Sequence, residues 1–196
     1  MYVITAAHCV FERVDGAPVF QNEPRNYKVE IGVQDTSKTY REKTFNIKSI
    51  IIHPNYKQLD DTRGISMVRQ AGHDHDIALI KLRKPVEWTE YAQPICLPDN
   101  SINGPDPEHY EGEDGTLVGW GSDKWGGKPT HELFKATMPI VSNSECNEKL
   151  NSLQKLIEIK QGHLCAGHKQ GTIDGCHVSM CIFRFQLELS FVVEAS

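Results

Sequence analysis

The chain has 196 residues, enough for one domain with a sizeable core. Its 39% hydrophobic and 24% charged content is ordinary for a soluble globular protein. A net charge of −5, from 21 basic and 26 acidic residues without a basic block, gives nothing that favours nucleic acid, and no apolar run approaches the roughly 18 residues of a membrane-crossing helix.

In chain order, Met1-Tyr2-Val3-Ile4-Thr5-Ala6-Ala7 reads as a buried strand. It has no basic n-region and its apolar run breaks at His8, so it is not a signal peptide. A long polar loop is expected over 11–26. Lys28-Val29-Glu30-Ile31 alternates as a half-buried strand should, within an apolar run over 27–33. A second run covers 44–52, and a second long polar loop covers 58–74. Residues 77–82 read as a more fully buried strand carrying one lysine, and further strands are expected over 115–121 and 135–141. Gly, Pro, Asn and Asp clusters separate these runs, the rhythm of an all-β barrel or sandwich and not of βαβ units. Helix signals are local: Ser142-Asn143-Ser144-Glu145 fits a capping box, with one or two turns reaching toward Leu156.

Six cysteines stand at positions 9, 96, 146, 165, 176 and 181, with no Cys-x-x-Cys pair for zinc or redox work. Such usage reads as a disulfide framework in an oxidising, extracellular setting. The bland alternative is a cytosolic chain with scattered buried thiols.

Two segments carry candidate chemistry. In Thr5-Ala6-Ala7-His8-Cys9, small residues let a strand end pass into a tight turn that Cys9 can anchor, so the imidazole of His8 can stand rigidly as a general base. In Asp76-Ile77-Ala78-Leu79-Ile80-Lys81-Leu82, the carboxylate directly precedes an apolar strand, and a carboxylate drawn out of water needs a donor. The ring N–H of His8 would supply it and fix the tautomer whose other nitrogen accepts a proton.

Ile52-His53-Pro54-Asn55-Tyr56, Pro94-Ile95-Cys96-Leu97-Pro98, Gly119-Trp120-Gly121, Leu164-Cys165-Ala166-Gly167 and Asp174-Gly175-Cys176 follow in an order that is highly specific. With the two segments above, they make residues 2–177 resemble a trypsin/chymotrypsin-type (S1 family) serine endopeptidase. The order of His before Asp fits this family and not subtilisin or the α/β hydrolases. The resemblance implies a secreted protein with two six-stranded antiparallel β-barrels and a cleft between them. His8 and Asp76 would belong to its Ser-His-Asp triad. Asp174, two residues before Cys176, matches the base of the specificity pocket and implies cleavage after Arg or Lys; its alternative is a turn aspartate before Gly175. Cys146 and Cys165 resemble a family disulfide. The Pro94–Pro98 segment resembles members whose protease domain is tied by disulfide to an N-terminal regulatory segment, as in clotting and arthropod clip-domain proteases. Protein or peptide substrates and protein protease inhibitors are the implied partners. No metal or organic cofactor is implied, and the acidic residues between Glu30 and Glu42 are too scattered for a calcium loop.

The pattern breaks after Cys176-His177. The family would continue Gly-Asp-Ser-Gly-Gly-Pro, and this chain reads Val178-Ser179-Met180-Cys181. Ser179 falls one position early, and bulky Val178 and Met180 disfavour the turn that would aim backbone N–H groups at an oxyanion. The expectation is a peptidase domain over 1–177, incomplete at both termini and lacking its nucleophile, followed by a divergent tail over 178–196. Two readings of the tail stand side by side. Val-Ser-Met can be written GTA-AGT-ATG, a splice-donor consensus, which makes the tail translated intron. Phe183, Phe185, Leu187, Leu189 and Phe191 alternate with Arg184, Gln186, Glu188 and Ser190, which makes it an amphipathic strand.

In the family a freed N-terminal amine pairs with the aspartate before the serine. Both are missing here, so the usual zymogen activation is not expected. The partners expected for Cys9, Cys96 and Cys176 are missing too, although a new bridge between Cys176 and Cys181 is sterically conceivable. Each lost native disulfide costs roughly 2–5 kcal/mol against a total of about 5–15 kcal/mol, so poor folding is expected of the chain alone. The rival reading is a non-catalytic protease homologue acting as a binding or regulatory module. Retention of His8, Asp76 and Asp174 together argues against that rival.

Overall fold

Strands paired antiparallel account for most of the regular structure in the computed structural model, which describes residues 1–10, 12–14, 17–19, 23–38, 43–56, 75–97, 107–121, 130–152, 159–160, 162–168, 181–182 and 191–193. The chain divides into two units.

The first unit comprises Met1–Thr62, His75–Leu97 and Gln186–Ser196. Its strands are β1 (Tyr2–Thr5), β2 (Glu12–Val14), β3 (Ala17–Val19), β4 (Lys28–Glu30), β5 (Thr44–Ile52), β6 (Ala78–Leu82) and, from the tail, β11 (Phe191–Val193). Five of them form a sheet in the order β11-β1-β6-β5-β4. Alternation decides which side chains enter the core: Val3 and Thr5 of β1, and Ala78, Ile80 and Leu82 of β6, point inward. In β5, Ile47 and Ile50 are both buried although three residues apart. An irregularity between Ile47 and Ser49 inserts the extra residue that brings both to one face. Ala7, Val10, Val29, Ile31 and Val86 complete this core. Gly32 sits at φ 71, and a Cβ there would come 3.1 Å from the Tyr91 carbonyl oxygen, so the position needs glycine.

The second unit comprises Arg63–Asp74 and Pro98–Phe185. It contains β7 (Asp114–Gly119), β8 (Phe134–Val141), helix α1 (Asn143–Ser152), β9 (Cys165–Ala166) and β10 (Cys181–Ile182), with sheet order β10-β9-β8-β7. The capping signal is realised: the Glu145 N–H donates to Ser142 Oγ at 3.2 Å, and α1 runs for 10 residues, longer than the one or two turns expected. Cys146 of α1 and Cys165 of β9 form a disulfide, buried with Leu150 and Ile159. Asn147 reinforces the same junction. Its Nδ2 donates to the Ile159 carbonyl at 2.9 Å, and its Oδ1 accepts the Ile159 N–H at 2.7 Å.

The architecture is all-β among the described residues, with little helix, as expected. Three expectations need correction. Residues 11–26 are not only loop, because β2 and β3 pair there from Glu12↔Val19 to Val14↔Ala17; Asp15-Gly16, a dipeptide favoured in two-residue hairpin connections, separates them. Residues 77–82 do not form a fully buried strand, since Ile77 is 43% exposed and the rest alternates. In the tail, the expected 183–191 strand is matched only at Phe191, where β11 starts, and 183–190 lie outside the described residues. The 58–74 loop lies outside them as well.

Candidate active site

The pair Thr5↔Ala78 ends the antiparallel ladder of β1 and β6. Past Thr5 the chain enters a 3₁₀ turn, Ala7–Val10, closed by the Cys9 N–H donating to the Ala6 carbonyl at 3.2 Å. His8 sits in that turn. Ala6 and Ala7 are buried at 3% and 0%, so small side chains line the passage from strand to turn. Asp76 lies two positions before Ala78 on the partner strand. The antiparallel register therefore delivers the backbones bearing His8 and Asp76 to the same end of one ladder.

Asp76 is half-buried and held by a distinctive backbone path. His75 before it occupies the left-handed region at φ 59, which costs an L-residue on the order of 1–2 kcal/mol. The Ile77 N–H then donates to the His75 carbonyl at 2.7 Å, a three-residue turn centred on Asp76. The His53 N–H donates to the Ile77 carbonyl at 3.1 Å and so extends the β5/β6 pairing past Ile52↔Ala78. Above this turn the rings of His53 and His75 stack, with centroids 4.6 Å apart and planes within 5°.

His53 also starts the turn that presents Tyr56, whose N–H donates to the His53 carbonyl at 3.0 Å, with Pro54 fixing the backbone between them. The Asn55 N–H donates to His53 Nδ1 at 3.1 Å, which orients the ring over the turn's own backbone. Tyr56 is half-buried against the first core. Its phenol is pushed up from 10.0 to about 12, first by burial, then by the negative charge of Asp76, then by that of Cys9. Tyr56 thus stays protonated, and it is within electrostatic reach of both segments. Sequence reasoning gave Tyr56, His53 and His75 no role. The His53-Pro54-Asn55-Tyr56 motif was the available signal for two of them, whereas the conformation of His75 leaves no mark in residue type.

Of the other residues singled out, Cys146 and Cys165 are joined as expected. Cys9 is half-buried and Cys96 is an exposed free thiol. Asp174, Cys176 and Ser179 lie outside the described residues. Among the described residues no helix is long and apolar enough to cross a membrane.

Residues 1–177 match the family described as Trypsin. The chain belongs to that family. It is also similar to a curated relative, serine protease filzig of Drosophila melanogaster, at 30% identity over 175 residues. That match covers 89% of this chain and 9% of the relative, so the chain spans under a tenth of the relative's length. By family, the matched residues are a trypsin-like serine protease domain.

Proposed function

We propose that residues 1–177 are the histidine- and aspartate-bearing part of a secreted trypsin-like endopeptidase domain, that its specificity is for Arg or Lys before the cleaved bond, and that the chain as it stands is hydrolytically silent. The observation that carries this reading is the common ladder end of His8 and Asp76 within the family match. In the reaction, His8 is the general base. The carboxylate of Asp76 accepts the second ring N–H, fixes the tautomer and stabilises the imidazolium once the proton has moved. Asp174 supplies the buried carboxylate that pairs with the substrate cation.

In this reading the constellation lacks its nucleophilic Oγ. Val178-Ser179-Met180-Cys181 stands where the family carries its nucleophile and oxyanion donors, and residues 178–196 are a tail outside the family pattern. Without the serine no acyl-enzyme forms, and turnover falls by on the order of 10⁶. This observation also favours a second reading, a non-catalytic homologue that binds a protein partner through the retained surface.

Three measurements test these readings. Hydrolysis of Arg-ester and Lys-ester substrates by the purified chain is expected to stay at background; turnover that vanishes with His8→Ala would overturn the silent assignment. In Asp76→Asn, the His8 imidazole, followed by NMR, is expected to lose its proton at lower pH than in the parent, because the neighbouring negative charge is gone. An unchanged titration would separate the two residues and remove the triad reading. Saturable capture of one partner by the inactive folded chain would favour the second reading.

A further inference from the structure

We propose that the outer face of the five-stranded sheet is a docking surface for an extended acidic segment of a partner protein. Lys28, Lys48, Lys81 and Arg83 take its carboxylates, and Ile51 takes an apolar side chain beside them. Such docking is independent of whether the chain hydrolyses anything: ester assays report on the one, peptide binding on the other.

The surface is a product of the irregularity in β5. Ile47 and Ile50 both face the core, so the two residues between them, Lys48 and Ser49, are left on the outer side. In β6, Ile80 and Leu82 are buried, which turns Lys81 and Arg83 outward. Register then gathers the cations. Ser49 pairs with Lys81, Lys28 of β4 pairs with Asn46, and the Arg83 N–H donates to the Asn46 carbonyl at 3.0 Å. Strands lie about 4.8 Å apart and alternate residues about 6.8 Å along a strand, so the four backbones fall within roughly 12 Å of one another. Three strands contribute, which is why no basic block marks the patch in a sequence of net charge −5.

Arg83 is pre-set. Its Nε donates to the Ile47 carbonyl at 3.0 Å, at the irregularity itself, which fixes the guanidinium and leaves its Nη groups to offer a carboxylate a planar fork. Lys28 Nζ donates to Asn46 Oδ1, and Lys81 Nζ lies over the Tyr2 ring, 5.2 Å from its centroid. These partners are neutral, so the positive charge is not compensated by them, and Lys48 is exposed. The ion pairs Arg25–Glu23 and Lys38–Asp35 involve other cations. Glu30, on the same face of β4 two residues past Lys28, accepts a hydrogen bond from Thr44 Oγ1 at 3.2 Å and borders the patch.

The neighbouring apolar surface selects the class of partner. Ile51 is the next outward residue of β5 after Ser49, is 49% exposed, and pairs with Leu79, which places it diagonally from Lys81. A sulfated polysaccharide offers nothing to Ile51. An extended peptide carries same-face side chains about 6.8 Å apart, the spacing of Arg83, Lys81 and Leu79 along β6. Two alternate carboxylates followed by an apolar residue therefore match that line, and the positive field favours their encounter.

The test is fluorescence anisotropy on the full chain with labelled Glu-Thr-Glu-Thr-Ile, its isomer Glu-Glu-Thr-Ile-Thr, and a heparin-derived decasaccharide. Saturable binding of the first peptide is expected, several-fold weaker at about 0.15 M salt than at about 0.02 M. Its isomer should bind about threefold or more weakly, because its carboxylates fall on opposite faces. Arg83→Glu and Lys48→Glu should each weaken binding about fivefold or more, whereas Lys135→Glu, the same change of net charge on β8, leaves it unchanged. Lys48→Glu keeps the test decisive if loss of Arg83 disturbs the sheet. Ile51→Ser should weaken the peptide and not the decasaccharide. No saturable peptide binding, equal loss with Lys135→Glu, or indifference to peptide order and to Ile51→Ser would overturn the proposal. So would a decasaccharide that binds more tightly than the peptide through the same four cations, which would make the surface a polysaccharide site.

Discussion

Replacing Cys146 and Cys165 together by alanine isolates what the disulfide contributes to the second unit. The bridge closes a loop with a sequence separation of 19. The loop-entropy relation for that length gives about 11 cal/mol/K, or about 3 kcal/mol at 25 °C. The local backbone pairing that remains is short, because β9 is two residues long and pairs with β8 through Ile140↔Ala166 and Val141↔Cys165 and with β10 through Cys181↔Ala166 and Ile182↔Cys165. The side-chain clasp of Asn147 on Ile159 survives the substitution and holds α1 to the segment before β9, but not β9 itself. The double variant should therefore lose about 3 kcal/mol in this region, roughly two orders of magnitude in local opening. The reporter is the Gly167 amide, which donates to the Pro139 carbonyl at 3.0 Å just past β9. Its exchange should accelerate about a hundredfold in the variant, and equally in the parent after reduction, while Cys96→Ser leaves it unchanged. Acceleration of less than about tenfold would show that packing around Leu150 and Ile159, and not chain cross-linking, holds β9 in place.

Four further outcomes follow from the first unit. Because Tyr56 titrates at about 12 instead of 10.0, stability should be intact below pH 10 and fall as pH rises from 10 toward 12. In Asp76→Asn an ultraviolet titration should bring the Tyr56 midpoint part of the way back and no further, since burial is the larger cause. Gly32→Ala should lose at least about 1–2 kcal/mol in a urea melt, from its positive φ alone, with the 3.1 Å approach to Tyr91 adding to the loss. Val192→Pro removes a main-chain donor opposite Val3 in the middle of β11; the uncovered edge of β1 should raise the light-scattering aggregation rate, and an unchanged rate would mean that β11 does not shield that edge.

What could be read before the fold was known followed the strength of the local pattern. β4, β5, β6, β7 and β8 all fall on runs whose apolar residues alternate or cluster between turn formers, so their existence was legible and their ends were off by a few residues. The β2/β3 hairpin was hidden because the sequences Glu12-Arg13-Val14 and Ala17-Pro18-Val19 show no marked apolar alternation and one strand contains proline. The insertion beside Ile47 was invisible because a one-residue irregularity depends on the partner strand and not on the sequence carrying it. At the candidate site, His8 and Asp76 stood out through their neighbours. The support beneath Asp76 did not, because the φ of His75 and its contact with His53, twenty-two positions earlier, are products of folding.

The pairing of Tyr2 with Val193 joins the two most distant described strands of the chain. Such a contact cannot assist early folding, because the entropy of closing so large a loop must be met before the contact gives anything back. During synthesis, β1 and β6 can associate long before residues 191–193 leave the ribosome. The nascent sheet then spends that interval with one side of β1 open, a window in which a chaperone or a neighbouring nascent chain competes for the place that β11 later takes.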